Sequence, residues 1–166
     1  MPPSWVRAEG CRLGIMPRPR GGDWLEEDIR LLKAEGVGVI VSALEPDESA
    51  ELELSQEADA RRRGGIDFIS FPIADRSVPD SVEDFRGFLK AVEKHLQGHK
   101  AVVVHCRAGI GRSSIIAASL LLGYGFSVAD AFELLRQARG FPVPDTPEQR
   151  EWVERLAVRT INPGER

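Results

Sequence analysis

Cys106 and Arg112 stand six positions apart, with Arg107-Ala108-Gly109-Ile110-Gly111 between them and Ser113 directly after. Those residue types at that spacing suit nucleophilic displacement at phosphorus. A cysteine attacks as its thiolate, a strong nucleophile at neutral pH. An arginine fork takes two oxygens of a tetrahedral dianion at once. A glycine-bearing turn that opens a helix points its N–H groups into one cup, where the helix dipole adds positive potential. Gly109 and Gly111 let the chain curl that closely. The amides of Arg107, Ala108, Gly109, Ile110 and Gly111, with the Arg112 side chain, form the expected phosphate cradle. The same field favours the Cys106 thiolate, and the Ser113 hydroxyl can donate to the sulfur as it leaves in a second step. A merely structural thiol would need neither the two glycines nor the arginine downstream. The stretch is not an ATP-binding loop, because no Lys-Ser or Lys-Thr pair follows its glycines.

A strand and a helix must hold this loop. Ala101–His105 (AVVVH) is an apolar, β-branched run of the kind buried on both faces of a parallel sheet. Ser113–Leu122 reads as the helix that follows, ending before Gly123. Val37–Leu44 and Ile66–Ile73 read as further strands. Ser4–Ile15 suits a short strand pair, and Met16–Gly22 a loop. Asp23 with Glu26 has capping-box spacing before a helix that ends at Gly36. Pro46–Gly65 is read as containing an amphipathic helix. Val82, Phe85, Leu89, Val92 and Leu96 place a helix over Ser81–Leu96. Ser127–Arg139 and Thr146–Val158 follow, each opened by a capping box, with Pro147 at the first helical position of the last. The expected class is α/β, a mostly parallel central sheet flanked by helices. A single domain over 1–166 is expected, with N-terminal strands and a loop in 1–23 and the core in 24–158.

The 166 residues include 42% hydrophobic and 29% charged residues, with a net charge of −4. That balance disfavours a polyanion-binding surface, so no nucleic-acid partner is expected. The longest apolar stretch, Ile115 to Leu122, is too short to span a bilayer, and no signal peptide is read at the N-terminus, so no membrane partner is expected. Two cysteines, Cys11 and Cys106, make neither a disulfide framework nor a zinc site. A reducing, cytoplasmic setting is expected.

The stretch His105-Cys106-(five residues)-Arg112-Ser113 resembles the signature of the cysteine-dependent protein tyrosine phosphatase superfamily. HCRAGIGRS is similar to the form found in its small dual-specificity members, and the resemblance extends from Trp24 to Trp152. It implies the tyrosine-phosphatase-like fold, with the phosphate loop between a central strand and a helix. It implies a general acid on a loop upstream of the cysteine. Asp75 follows a strand in a Pro-bounded loop and is the choice. Asp80 competes, although it also reads as a helix N-cap, and Asp84 falls inside the helix. Arg76 either widens the anionic pocket or is a solvated loop residue. The resemblance gives His105 a supporting role beneath the loop, where it also helps keep the cysteine a thiolate. It suggests that Gln149 positions the hydrolytic water, yet Thr146 and Gln149 are also a capping box, so both readings stand. Cys11 reads as a space-filling residue, with a redox partnership to Cys106 as the alternative.

The implied activity is hydrolysis of phosphomonoesters through a phosphocysteine, phosphotyrosine first, with phosphoserine and phosphothreonine as further substrates. The alternatives are phosphoinositide or RNA 5′-phosphatase activity, or a non-catalytic phosphate-binding module. The last predicts a lost cysteine or arginine, and both are present. Rhodaneses and arsenate reductases share a Cys-bearing loop, but the former lack an upstream acid and the latter usually carry the loop near the N-terminus. No cofactor or metal is expected, since Arg112 and the amides supply the positive charge. The expected partner is a phosphorylated protein or other phosphomonoester, acted on by a monomer.

Overall fold

The computed structural model describes residues 2–161. Five strands form one sheet: β1 (Ser4–Trp5), β2 (Leu13–Met16), β3 (Val37–Ser42), β4 (Asp67–Ser70) and β5 (Ala101–His105). Their order is β1-β2-β5-β3-β4, with β1 antiparallel and the other pairs parallel. The apolar run AVVVH thus takes the central place, where both its faces are covered.

Strand alternation divides the core. Val102 and Val104 face one side of the sheet, where they pack with Leu13, Ile15, Val39 and Val41. Helices α4 (Val82–Gln97), α5 (Arg112–Leu122), α6 (Val128–Arg139) and α7 (Pro147–Ile161) cover that side. Val103 faces the other side with Met16 and Ile40. There α1 (Leu25–Ala34) supplies Leu25, Ile29 and Leu32, and α3 (Glu57–Arg63) supplies Ala60. Continuing the alternation, His105 points to the α3 side and Cys106 to the α5 side. One strand therefore delivers two chemically active side chains to opposite faces.

Several expectations need correction. The helix read within Pro46–Gly65 is α3, and a second one, α2 (Pro46–Glu51), precedes it, because the chain turns at Glu53 (φ 57°) to bury Leu54. The strand expected over Ile66–Ile73 keeps only Asp67–Ser70 in the ladder. Beyond it the N–H groups of Phe71 and Ile73 still reach β3 and the residue after it, but Pro72 has none to give. Asp23 caps nothing, because it lies inside a 3-10 turn over Gly22–Trp24. The N-cap of α4 is Ser81, whose Oγ accepts from Asp84 N at 3.1 Å, not Asp80. Among the described residues, no helix is long and apolar enough to cross a membrane.

Candidate active site

The loop 106–111 leaves β5 at the carboxyl end of the sheet and enters α5 at Arg112. Its carbonyls are held from outside. Arg18 N donates to Arg107 O at 3.1 Å. Arg139, in the last turn of α6, donates through Nη2 to Ala108 O at 3.2 Å and through Nε to Gly109 O at 3.0 Å. A trans peptide sets its N–H opposite the preceding C=O. The N–H groups of Ala108, Gly109 and Ile110 therefore turn toward the inside of the loop, as a phosphate cradle requires.

The glycines are dictated by space. Gly109 has φ 71°, and a Cβ there would meet Met16 O at 2.6 Å and Pro17 N at 2.6 Å. At Gly111 a Cβ would stand 2.8 Å from Gln149 Oε1.

Cys106 is 3% exposed. Its Sγ lies 3.2 Å from Ser113 Oγ, a contact in which the hydroxyl can donate to a thiolate. Arg112 is also buried, and its guanidinium makes four hydrogen bonds to three residues. Nη1 donates to Glu48 Oε2 (2.6 Å) and Ile73 O (2.9 Å). Nη2 donates to Glu48 Oε1 (2.9 Å) and Asp75 Oδ1 (3.1 Å). The structure thus brings together four of the residues singled out from sequence: Cys106, Arg112, Ser113 and Asp75.

Asp75 is 57% exposed and sits on a turn closed by Ser77 N donating to Ala74 O. Two contacts tie that turn to the loop before α7 and to the first turn of α7. Arg76, at φ 59°, approaches Asp145 Oδ2 at 3.5 Å. Gln149 Nε2 donates to Ser77 O at 3.0 Å. Gln149 also caps α7, its Oε1 accepting from the N–H groups of Asp145 and Thr146 at 3.1 Å each. The capping box read from the sequence is thus formed, and the same buried amide tethers the turn that bears Asp75. Asp80 is exposed, and among the described residues no hydrogen bond or ion pair links it to the loop.

His105 is fully buried. Its Nδ1 lies 3.0 Å from Cys106 O and its Nε2 2.8 Å from Glu57 Oε1. Glu57 also takes the Arg61 guanidinium. Burial pushes the Glu57 carboxyl up, but His105 and Arg61 outweigh it and hold the group at about 2. Glu48, Glu57 and Arg139 are the site residues that sequence reasoning missed. Only for Glu48 was there a local signal, its place three after Glu45 behind Pro46, where Glu45 N donates to its Oε2 at 3.0 Å. Arg107 is half-exposed, 3.9 Å from Glu51. Cys11 is buried at the far end of β2, whose Leu13 pairs with Val102 while Met16 pairs with His105. A sheet length separates the two thiols, so they cannot form a bond.

A family model described as dual specificity phosphatase, catalytic domain, matches residues 36–154. The chain belongs to the dual specificity phosphatase family. Among that family's relatives, protein tyrosine phosphatase type IVA 3 of Mus musculus is 33% identical over 89 residues, 52% of this chain and 51% of that protein. The chain therefore spans about half the length of that curated relative. The crystal structure of Tk-PTP in the active form superposes with a TM-score of 0.77 at 28% identity, covering 96% of this chain and 99% of the other. The fold is shared as well with kinase associated phosphatase bearing a serine at its catalytic-site cysteine: TM-score 0.81, 24% identity, covering 93% and 89% of the two chains.

Proposed function

We propose that this chain hydrolyses phosphomonoesters through a phosphocysteine at Cys106, acting on phosphotyrosine first and on phosphoserine and phosphothreonine as well. The observation that carries the reading is the Cys106–Ser113 contact beneath a loop whose amides face inward, beside a fixed Arg112 that already touches Asp75. Membership of the phosphatase family supports it.

In the first step the Cys106 sulfur attacks phosphorus in line and the bond from phosphorus to the ester oxygen breaks. Arg112 and the inward amides carry the charge of the equatorial oxygens. Asp75 gives its proton to the leaving oxygen. In the second step Asp75 takes a proton from water, the water oxygen attacks phosphorus, and the S–P bond breaks. The sulfur leaves as a thiolate that accepts the Ser113 hydroxyl hydrogen bond. Gln149 holds the turn that bears Asp75 and lies against Gly111.

The test is turnover of a matched panel by purified protein: phosphotyrosine and phosphothreonine peptides, a phosphoinositide and an RNA 5′-triphosphate, with Cys106→Ser as control. The expected result is turnover of the phosphotyrosine peptide that vanishes in the control, while the control still binds phosphate. Preference for the lipid or the RNA would overturn the substrate assignment. Full turnover by the control would overturn the covalent mechanism.

A further inference from the structure

A groove between the segment that follows β2 and the outer flank of α1 lies apart from the site described above. Its volume is about 480 Å³. Pro3, Met16, Pro17, Pro19, Leu31 and Leu32 give it apolar walls. The prolines have fixed φ, so those walls need little ordering when something binds. Leu31 stands 49% exposed on this flank, although α1 buries Leu25, Ile29 and Leu32. The charged residues of the groove are not equivalent. Asp28 is buried and accepts from Arg20 through its backbone N at 2.7 Å and its Nε at 3.0 Å, so that pair is self-contained. Arg18 is half-buried, and its guanidinium donates to Pro19 O at 3.1 Å. Among the described residues no ion pair neutralises it. Glu35 lines the far end, about 10 Å along the helix from Asp28. The groove thus has an unneutralised cation at the end beside the phosphate loop, apolar walls, and an anion at the other end.

We propose that this groove binds an aliphatic carboxylate, its chain along Met16, Leu31 and Leu32 and its head group on Arg18. Burial of the chain supplies the affinity, and one ion pair fixes the orientation. A half-buried guanidinium is screened less by water and salt than an exposed one, and Glu35 repels the head group from the far end. The groove also shares a wall with the phosphate loop. Arg18 N donates to Arg107 O at 3.1 Å, and a Cβ on Gly109 would meet Met16 O and Pro17 N at 2.6 Å each. A ligand that holds Arg18 steadies this brace, so the carboxylate and inorganic phosphate each tighten the binding of the other. None of this rests on the proposed hydrolysis.

The probe is dodecanoate, titrated into the full chain by calorimetry with no substrate present. One-to-one binding with a Kd of about 100 μM is expected. Dodecylammonium has the same chain and the opposite head group, and should bind at least about tenfold more weakly; Arg18→Glu should weaken dodecanoate by a similar factor. Leu31→Glu changes only the outer flank of α1. It should cost about tenfold in dodecanoate affinity while melting with wild type. Saturating phosphate should lower the dodecanoate Kd about fivefold. Absence of saturable dodecanoate binding to wild type overturns the proposal whether or not the variants fold. Binding to phosphatidylglycerol vesicles without binding of dodecanoate does the same, since it marks a membrane-facing surface instead. Equal affinity for dodecylammonium, or an unchanged Kd in Leu31→Glu, also overturns it. Competition between phosphate and dodecanoate would put Arg18 in the phosphate site and strike the assignment of the head group. Absence of phosphatase turnover, with these binding results intact, would sink only the phosphatase reading.

Discussion

Glu48 holds Arg112 with both carboxylate oxygens, at 2.6 and 2.9 Å, and does so at 11% side-chain exposure. Burial alone would raise the Glu48 carboxyl, yet the bonds from Arg112 and from Glu45 N hold it below its ordinary value. The pair uses the Nη1–Nη2 edge of the guanidinium. Asp75 takes the remaining Nη2 position, so a phosphate approaching this face meets Nε–H and must compete with Asp75. Arg112 is thus aimed by α2, an element far from the loop in sequence.

Glu48→Gln should leave the fold intact and cut kcat/KM by roughly 10²-fold, because a misplaced clamp loses the in-line geometry. Inorganic phosphate should bind more weakly in the same variant, as measured by competitive inhibition. Wild-type kinetics would show that Glu48 merely satisfies a charge.

The two candidate acids separate cleanly. Asp75→Asn should lower turnover of a phosphotyrosine peptide by about 10²–10⁴-fold, and much less for an aryl phosphate whose leaving group needs no proton. Asp80→Asn should leave both rates near wild type, since Asp80 is exposed and the helix cap belongs to Ser81. Equal losses on both substrates in Asp75→Asn would point to a positional role only.

What the sequence made legible was whatever is encoded locally. The apolar strand, the two glycines and the following helix mark the Cys106 loop in the sequence. For Asp75 the resemblance implied an acid on an upstream loop, and its place after a strand singled it out. The residues that aim this machinery are different. Nothing nearby distinguishes buried Glu57 from exposed Asp59, or Arg61 from its neighbour Arg62. Their roles arise because strand alternation turns His105 to the α3 face, and because the chain bends at Glu53 so that α3 can meet it. Arg139 reads as the basic last turn of a helix, yet its partners are loop carbonyls thirty residues upstream. Charged helices hide such contacts, since a solvated face and a buried clamp use the same residue types.

Arg139→Ala should free the Ala108 and Gly109 carbonyls and so release the peptide planes that point their N–H groups inward. The expected result is a rise in the inhibition constant for inorganic phosphate of about tenfold, with Cys106 still alkylated by iodoacetamide. That magnitude corresponds to part of one oriented donor. An unchanged phosphate constant would show that the loop holds its shape unaided.

Acid should expose the Glu57 cluster. The carboxyl is held at about 2 against an ordinary value of 4.5. A depressed carboxyl contributes its stability above the ordinary value and loses it as pH falls toward the depressed one. The melting temperature of wild type should therefore drop between about pH 4.5 and about pH 2. Glu57→Gln should melt lower at neutral pH but fall less steeply across that window. A slope equal to wild type would remove Glu57 from the acid transition.

Gln149 decides whether a helix cap can also serve the reaction. Its oxygen caps α7 through the N–H groups of Asp145 and Thr146, and its amide nitrogen anchors the Asp75 turn through Ser77 O. The two tasks use different atoms, so substitutions can divide them. Gln149→Ala removes both and should cost about 1–2 kcal/mol, the scale for leaving partly buried backbone groups without their partners, while the N-cap bond from Gln149 N to Thr146 Oγ1 stays. Gln149→Glu keeps the accepting oxygens and loses the donor. It should melt within a few degrees of wild type while its kcat falls about tenfold, because the turn that carries Asp75 has lost its tether and now meets a carboxylate beside a carbonyl. Thermal melts and steady-state kinetics on both variants read the split directly. If Gln149→Glu keeps full kcat, Gln149 is a cap alone, and the turn is positioned by Arg112 and Arg76 without it.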